Sequence, residues 1–91
     1  MSYYYKNEYK FSDHALNRAK TRLNLKDLSD SEVINHCLKL IELSHEMHET
    51  KTCKYINVNK TNLYFVVDIN ENLIITLSPF KPDRLLGILN S

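Results

Sequence analysis

The residues best suited to chemistry lie in one stretch near the start of the chain, residues 11–23. His14, Arg18 and Arg22 are spaced four residues apart, so on a helix they form one ridge. An imidazole exchanges a proton near neutral pH, and guanidinium groups bind phosphate or carboxylate oxygens. We therefore predict that this ridge can hold an anionic ligand and move a proton.

Two interpretations of the ridge stay open. In the functional one, His14 is the general acid or base of RNA cleavage by the 2′-hydroxyl. Arg18 and Arg22 then hold the phosphate and stabilise charge in the transition state. In the structural one, the arginine stems cover an apolar stripe, and their charged heads pair with the acids of residues 27–50.

Two helices are predicted in the first half of the chain. Ser12 or Asp13 can cap the first helix, which runs to about residue 23 with its apolar residues on one face. Ser29 and Glu32 match a capping box, so the second helix starts directly after Ser29. We expect the second helix to end between residues 43 and 49.

The second half of the chain has the pattern of strands. Apolar runs at 53–58, 63–69 and 73–78 are separated by polar turns at 59–62 and 70–72, which predicts an antiparallel meander. Pro79 should end the last strand, and a short helix can start at Pro82 and pack back through Leu85, Leu86, Ile88 and Leu89. Residues 3–11 are either an edge strand or an unstructured tail.

These elements predict an α+β fold. Two N-terminal helices would pack on one face of a three- or four-stranded antiparallel sheet, a common layer arrangement. The length of 91 residues fits one small domain over 1–91.

The ridge matches a His-Ala-x-x-Arg-x-x-x-Arg opening, and residues 74–77 read Ile-Ile-Thr-Leu. This pattern resembles a bacterial domain-of-unknown-function family, and the element order resembles the RelE/ParE-type toxin fold of the barnase–colicin–RelE group. The resemblance implies a metal-independent endoribonuclease that acts on RNA or the ribosome and has a cognate antitoxin. It places an RNA-binding face on the first helix and the late strands, here His14, Arg18, Arg22, Thr76 and Ser78. The expected catalytic residues are His14, Arg18, Arg22 and Thr76, and Thr76 or Ser78 would donate a hydrogen bond to a phosphate oxygen.

A second function class is a non-enzymatic inhibitor from a phage or mobile element that binds a host protein. The net charge of +1 argues against a strongly basic nucleic-acid binder. Residues 1–26 carry six Lys or Arg and two acids, whereas residues 27–50 carry one Lys and six acids. Two oppositely charged sides would steer association with a protein.

Four further residues are predicted to contact RNA or a partner: Lys20, Ser78, Tyr3 and Tyr5. Tyrosines can stack on bases or anchor a protein interface. If residues 3–9 form an exposed edge strand, edge pairing could also produce a homodimer.

We expect no metal, no cofactor and no membrane span. Residues 45–48 read His-Glu-Met-His, one residue short of the His-Glu-x-x-His pattern of zinc proteases. Cys37 and Cys53 do not make a disulfide framework, and no apolar run approaches the roughly 18 residues that span a bilayer. The predicted location is the cytoplasm of a bacterial host.

Overall fold

The computed structural model describes residues 9–89, with only the backbone at positions 82, 85, 88 and 89. Its elements, in chain order, are β1 (Lys10–Phe11), α1 (Asp13–Arg22), α2 (Asp30–Leu43), β2 (Met47–Glu49), β3 (Cys53–Asn57), β4 (Leu63–Asp68), β5 (Leu73–Pro79) and α3 (Pro82–Leu89). In this part of the chain the strands form a five-stranded sheet of order β1-β5-β4-β3-β2. All neighbours are antiparallel except β1 and β5, which run parallel. The predicted α+β class and meander are confirmed.

The predicted start of α2 is also confirmed. The Ser29 hydroxyl accepts from the Glu32 N–H at 3.2 Å, and the Glu32 carboxylate accepts from the Ser29 N–H at 3.0 Å. This reciprocal pair satisfies two backbone donors that a helix start would otherwise leave free.

At its C-terminal end α1 is closed by the backbone conformation of Asn24. Its φ of 58° lies in the left-handed region, which asparagine tolerates better than most residues. The Leu25 N–H therefore turns back and donates to the Lys20 carbonyl at 2.9 Å, as in a Schellman motif. The helix ends at Arg22, one residue before the predicted end.

The start of α1 is tied to the sheet by Ser12. The Ser12 hydroxyl accepts from the Ala15 N–H at 3.0 Å and donates to the Ile75 carbonyl at 2.9 Å. The Ser12 N–H donates to the Ile74 carbonyl at 3.1 Å. Because Val66 pairs with Thr76 and Val67 with Ile74, Ile75 is the extra residue of a β-bulge. The bulge carbonyl thus becomes an acceptor for the helix cap.

The two helices cover one face of the sheet. Small residues Ala15 and Ala19 of α1 are buried, which brings the helix close to the strands. Residues of α2 and three strands complete this core; they are Val33, Cys37, Ile56, Val58, Phe65, Val67, Ile74 and Leu77. Full burial of a side chain such as Phe65 contributes roughly 2 kcal/mol to folding.

The opposite face of the sheet carries a smaller aromatic cluster. Tyr55, Tyr64 and Val66 are buried there, with Cys53 and Phe80 packed against them. The Phe80 ring meets Tyr55 at 5.7 Å and Tyr64 at 5.9 Å between centroids, both edge-to-face.

The predicted end of α2 between residues 43 and 49 is confirmed at the first residue of that range, because α2 ends at Leu43. The sequence did not predict that Met47–Glu49 form the edge strand β2. Asn59, in the turn after β3, explains the early stop of α2. Its side chain donates to the Leu43 carbonyl at 2.8 Å and accepts from the His45 N–H at 3.0 Å. These bonds replace helical ones, and the chain then pairs with β3.

Three smaller differences concern the ends of the described chain. The N-terminal strand is short and parallel to β5, and residues 3–8 of the predicted segment lie outside the described residues. Pro79 is the last residue of β5 rather than the first beyond it. The start of α3 at Pro82 is confirmed, but Leu86 does not pack back, since it is 58% exposed.

In residues 9–89 no helix has the length and apolar character needed to cross a membrane.

Replacing Ser12 should destabilise the protein more than replacing Ser29. Both Ser12→Ala and Ser29→Ala remove a helix cap, which costs about 1 kcal/mol. Ser12→Ala also removes the bond to the β5 bulge, so we expect a total of about 2 kcal/mol. Urea denaturation of the two variants measures the difference, and equal losses would contradict the role of Ser12 in joining α1 to β5.

The two thiols should differ in reactivity. Cys37 is fully buried, and burial raises the pKa of its thiol to about 11, whereas Cys53 is half-buried. Because the thiolate is the reactive form, an aromatic disulfide reagent near pH 8 should titrate one thiol in the folded protein and two in denaturant. Loss of the fast thiol in Cys53→Ser would assign it, whereas two fast thiols in the folded protein would contradict the burial of Cys37.

Candidate functional site

The predicted ridge exists on α1. His14, Arg18 and Arg22 are all exposed, while Ala15 and Ala19 of the same helix are buried against the sheet. The Arg18 Nε lies 3.4 Å from the His14 Nε2, a long hydrogen bond. Since a guanidinium only donates, the His14 Nε2 is the acceptor in this contact. Arg18 therefore lies beside the nitrogen that would take a proton from a substrate.

The arginines of the ridge have no acidic partner within the described residues. Lys20 of the same helix does form an ion pair, with 2.6 Å between its Nζ and the Asp30 Oδ1. In the described part of the chain the remaining ion pair joins His48 to Glu46. Arg18 and Arg22 thus present their charges to solvent, where an anion can reach them. Of the predicted contact residues on α1, Lys20 is the one with a structural ion pair.

Thr76 and Ser78 lie on the other face of the sheet. Thr76 pairs with Val66 and Ser78 pairs with Tyr64 across β4 and β5. Directly paired residues share a face, and Val66 and Tyr64 belong to the aromatic cluster. The structure therefore separates these two residues from the α1 ridge by the thickness of the sheet. Tyr3 and Tyr5 lie outside the described residues.

The Thr76 hydroxyl is buried on the aromatic face without a hydrogen bond to a described residue. A buried hydroxyl without a partner is energetically costly. The bulge at Ile75 sets this orientation, because it shifts the alternation of β5 by one residue.

A second polar cluster, which the sequence did not predict, lies on the aromatic face. The Glu46 carboxylate accepts from the Tyr64 hydroxyl at 2.8 Å and contacts the His48 Nε2 at 2.7 Å, through the same oxygen. Glu46 and His48 share a face because they are two residues apart in extended chain. Tyr64 reaches them from β4, with its ring centroid 6.4 Å from that of His48.

Hydrogen bonds set the ionisation of this cluster. The bond from His48, and then the bond from Tyr64, lower the pKa of the Glu46 carboxyl from its usual 4.5. Burial, helped by the Glu46 carboxylate, raises the pKa of Tyr64 to about 12. Near neutral pH the cluster therefore consists of the ionised Glu46 carboxylate, the neutral Tyr64 hydroxyl that donates to it, and the His48 ring, which the carboxylate orients.

The sequence signal for this cluster is weak but present. Glu46 and His48 are in i, i+2 positions, which share a face only if the segment is a strand. A helix over the same residues would have turned them apart. In residues 9–89, no group of three or more His, Cys, Asp or Glu side chains is placed to hold a metal ion.

Comparison of the chain with protein-family models, with curated proteins and with solved structures finds no match. The resemblance of the opening motif and of the element order to RelE/ParE-type toxins stays a prediction. The described fold defines an α+β class, with a cationic ridge on one helix and an aromatic, partly polar sheet face behind it. Function must therefore be argued from the chemistry of these two surfaces.

The Tyr64 bond to Glu46 should make stability depend on acid pH. A carboxyl whose pKa is lowered by folding stabilises the protein above its unfolded pKa, and this contribution is lost as pH falls through the folded value. Tyr64→Phe should cost about 1 kcal/mol near pH 7 and clearly less at an acid pH below the lowered pKa of Glu46, because this carboxyl is then protonated. Urea denaturation at both pH values measures this dependence.

Tyr55→Phe is the matched control, since Tyr55 lies in the same cluster and makes no hydroxyl bond to a described residue. Its effect should be similar at both pH values. If Tyr64→Phe and Tyr55→Phe showed the same pH dependence, the bond between Tyr64 and Glu46 would not be the cause.

Proposed function

We propose that this protein is a small RelE-like ribonuclease of the toxin type, which cleaves RNA without a metal through His14, Arg18 and Arg22. The observation that supports it most is the exposed ridge on α1. There the Arg18 guanidinium contacts the His14 ring, and both arginines lack an acidic partner in residues 9–89. A purely structural role for these arginines would call for acid pairs like that of Lys20 with Asp30, and within residues 9–89 neither arginine has one.

The chemistry of the ridge suits attack by the RNA 2′-hydroxyl. When Arg18 turns from the His14 Nε2 to the phosphate, that nitrogen takes the 2′-hydroxyl proton, and the freed 2′-oxygen bonds to the adjacent phosphorus. The bond from phosphorus to the 5′-oxygen breaks, the departing oxygen takes a proton from water, and a 2′,3′-cyclic phosphate remains. Arg18 and Arg22 bind the non-bridging oxygens, where negative charge increases in the transition state.

Partners follow from the same chemistry. The substrate would be RNA, free or on the ribosome, in the cytoplasm of a bacterial host. A cognate antitoxin would cover α1 with an acidic segment, since carboxylates are the natural protein ligands of unpaired arginines.

Replacing His14 should abolish cleavage and leave the fold intact. His14 is exposed on α1 and its replacement removes no core contact. We expect His14→Ala to lower RNA cleavage at least about 100-fold, the contribution of a general base. Inducible expression in a bacterial host, followed by growth and total RNA integrity, measures this. His36→Ala, at an exposed position of α2, is the matched control and should behave as the wild type.

Growth arrest and RNA cleavage by wild type and His36→Ala, but not by His14→Ala, would support the proposal. Equal RNA cleavage by wild type and His14→Ala would remove His14 from the chemistry. Normal growth with intact RNA in every case would favour the second candidate.

The second candidate is an interaction protein that inhibits a host protein. Leu43 is 57% exposed and Met47 is 52% exposed, at the end of α2 and the start of β2. In the described sheet β2 is an edge strand of three residues. An edge strand beside apolar side chains is a surface on which a partner strand can pair.

A further inference from the structure

A cavity of about 610 Å³ lies where β5 ends and α3 begins. Its volume is within the range of small-molecule sites, roughly 300–1,000 Å³. The described residues that line it are Asn62, Ser78, Pro79, Phe80, Lys81 and Arg84. We propose that this cavity binds a nucleotide, with its phosphate on Lys81 and Arg84 and its base against Phe80.

The charge of the lining favours an anion. The described lining residues include two cations and no acid. Within residues 9–89, neither Lys81 nor Arg84 forms an ion pair. An arginine can bind two phosphate oxygens at once, and a lysine adds a compact charge. The cavity thus supplies charge-assisted donors that the described part of the protein does not use.

Neutral donors add to the cations. The Ser78 hydroxyl and the Asn62 side-chain amide make no hydrogen bond to any residue in the described ranges. Both can donate to a phosphate oxygen or to a base edge. Asn62 is also held in place through its backbone, because its carbonyl accepts from the Phe80 N–H at 2.9 Å.

The aromatic wall is positioned by the cluster on the sheet face. Tyr55 and Tyr64 meet the Phe80 ring edge-to-face, and both tyrosines are buried. A ring held in this way loses little freedom when a ligand packs on it. Stacking on an aromatic side chain is how proteins bind bases of any sequence. Phosphate donors beside an aromatic wall therefore indicate a nucleotide rather than a bare anion.

The nucleotide could belong to an RNA strand or be a free mononucleotide, since both present one phosphate beside one base. This site does not rest on the proposed nuclease ridge, because none of its described lining residues lies on α1. Loss of RNA cleavage in His14→Ala tests the ridge, whereas loss of nucleotide binding in Lys81→Ala/Arg84→Ala tests the cavity, so the two proposals fail separately.

Titration of the full-length protein, followed by NMR and calorimetry, tests the site. The probes are adenosine 5′-monophosphate, adenosine, inorganic phosphate and a single-stranded 2′-O-methyl RNA of about six nucleotides, which spans a typical single-strand site. The proposed nuclease cannot cleave this RNA, because its 2′-oxygens carry no proton. We expect saturable binding of the monophosphate that is tighter than that of adenosine or phosphate. Lys81→Ala/Arg84→Ala should weaken it by at least about tenfold. Phe80→Leu should weaken the monophosphate but not inorganic phosphate.

The matched control is Lys26→Ala/Lys51→Ala, which removes the same charge from two exposed positions outside the cavity. It should bind as the wild type. If the RNA binds more tightly than the monophosphate, and Lys81→Ala/Arg84→Ala loses this binding, the site is supported and its ligand is an RNA strand. If the monophosphate binds more tightly than the RNA, the ligand is a free nucleotide. Absence of saturable monophosphate binding, or equal weakening by both double variants, would overturn the proposal.

Discussion

The hydrogen bonds of Ser12 connect α1, which carries the ridge, to the strand β5. One hydroxyl caps α1 and also bonds to the bulge carbonyl of Ile75. The angle at which α1 leaves the sheet is therefore set at β5, and with it the direction in which the ridge faces. The buried Ala15 and Ala19 keep one face of α1 in contact with the sheet. His14, Arg18 and Arg22 therefore point away from the core. A small residue at each contact position makes this close approach possible.

The sheet divides the chemistry of the protein between two surfaces. On the helical side, the ridge offers two cations and an imidazole to solvent. On the other side, an aromatic cluster carries the Glu46, His48 and Tyr64 hydrogen bonds and borders the cavity at the end of β5. A shift of one residue along a strand moves a side chain to the other face of the sheet. The bulge at Ile75 therefore determines the face on which Thr76 and Ser78 lie.

The separation of these surfaces bears on how RNA could be bound. A ribonuclease built on the α1 ridge alone would depend on His14 and two arginines, with Thr76 taking no direct part. A nucleotide in the cavity would instead contact Ser78, which resemblance to RelE-type toxins also placed on the RNA-binding face. Net charge stays close to zero, so local clusters of unpaired cations, rather than a general basic surface, would have to attract the phosphates.

The amino-acid sequence by itself determined the helices, the main strands and the ridge. Their signals are local: Ser29 and Glu32 lie within one helical turn, and His14, Arg18 and Arg22 repeat every four residues. Apolar runs between polar turns likewise define the meander from β3 to β5 without reference to the rest of the chain.

Tertiary structure alone decided the end of α2, the strand β2 and the sites on the far face of the sheet. Asn59 stops α2 from 16 residues away in sequence, and Tyr64 completes the Glu46 cluster from 18 residues away. The bulge, the early stop of α2 and the cavity lining all depend on contacts between segments distant in sequence. No local pattern encodes such contacts, because the energy that selects them is released only when the segments pack together.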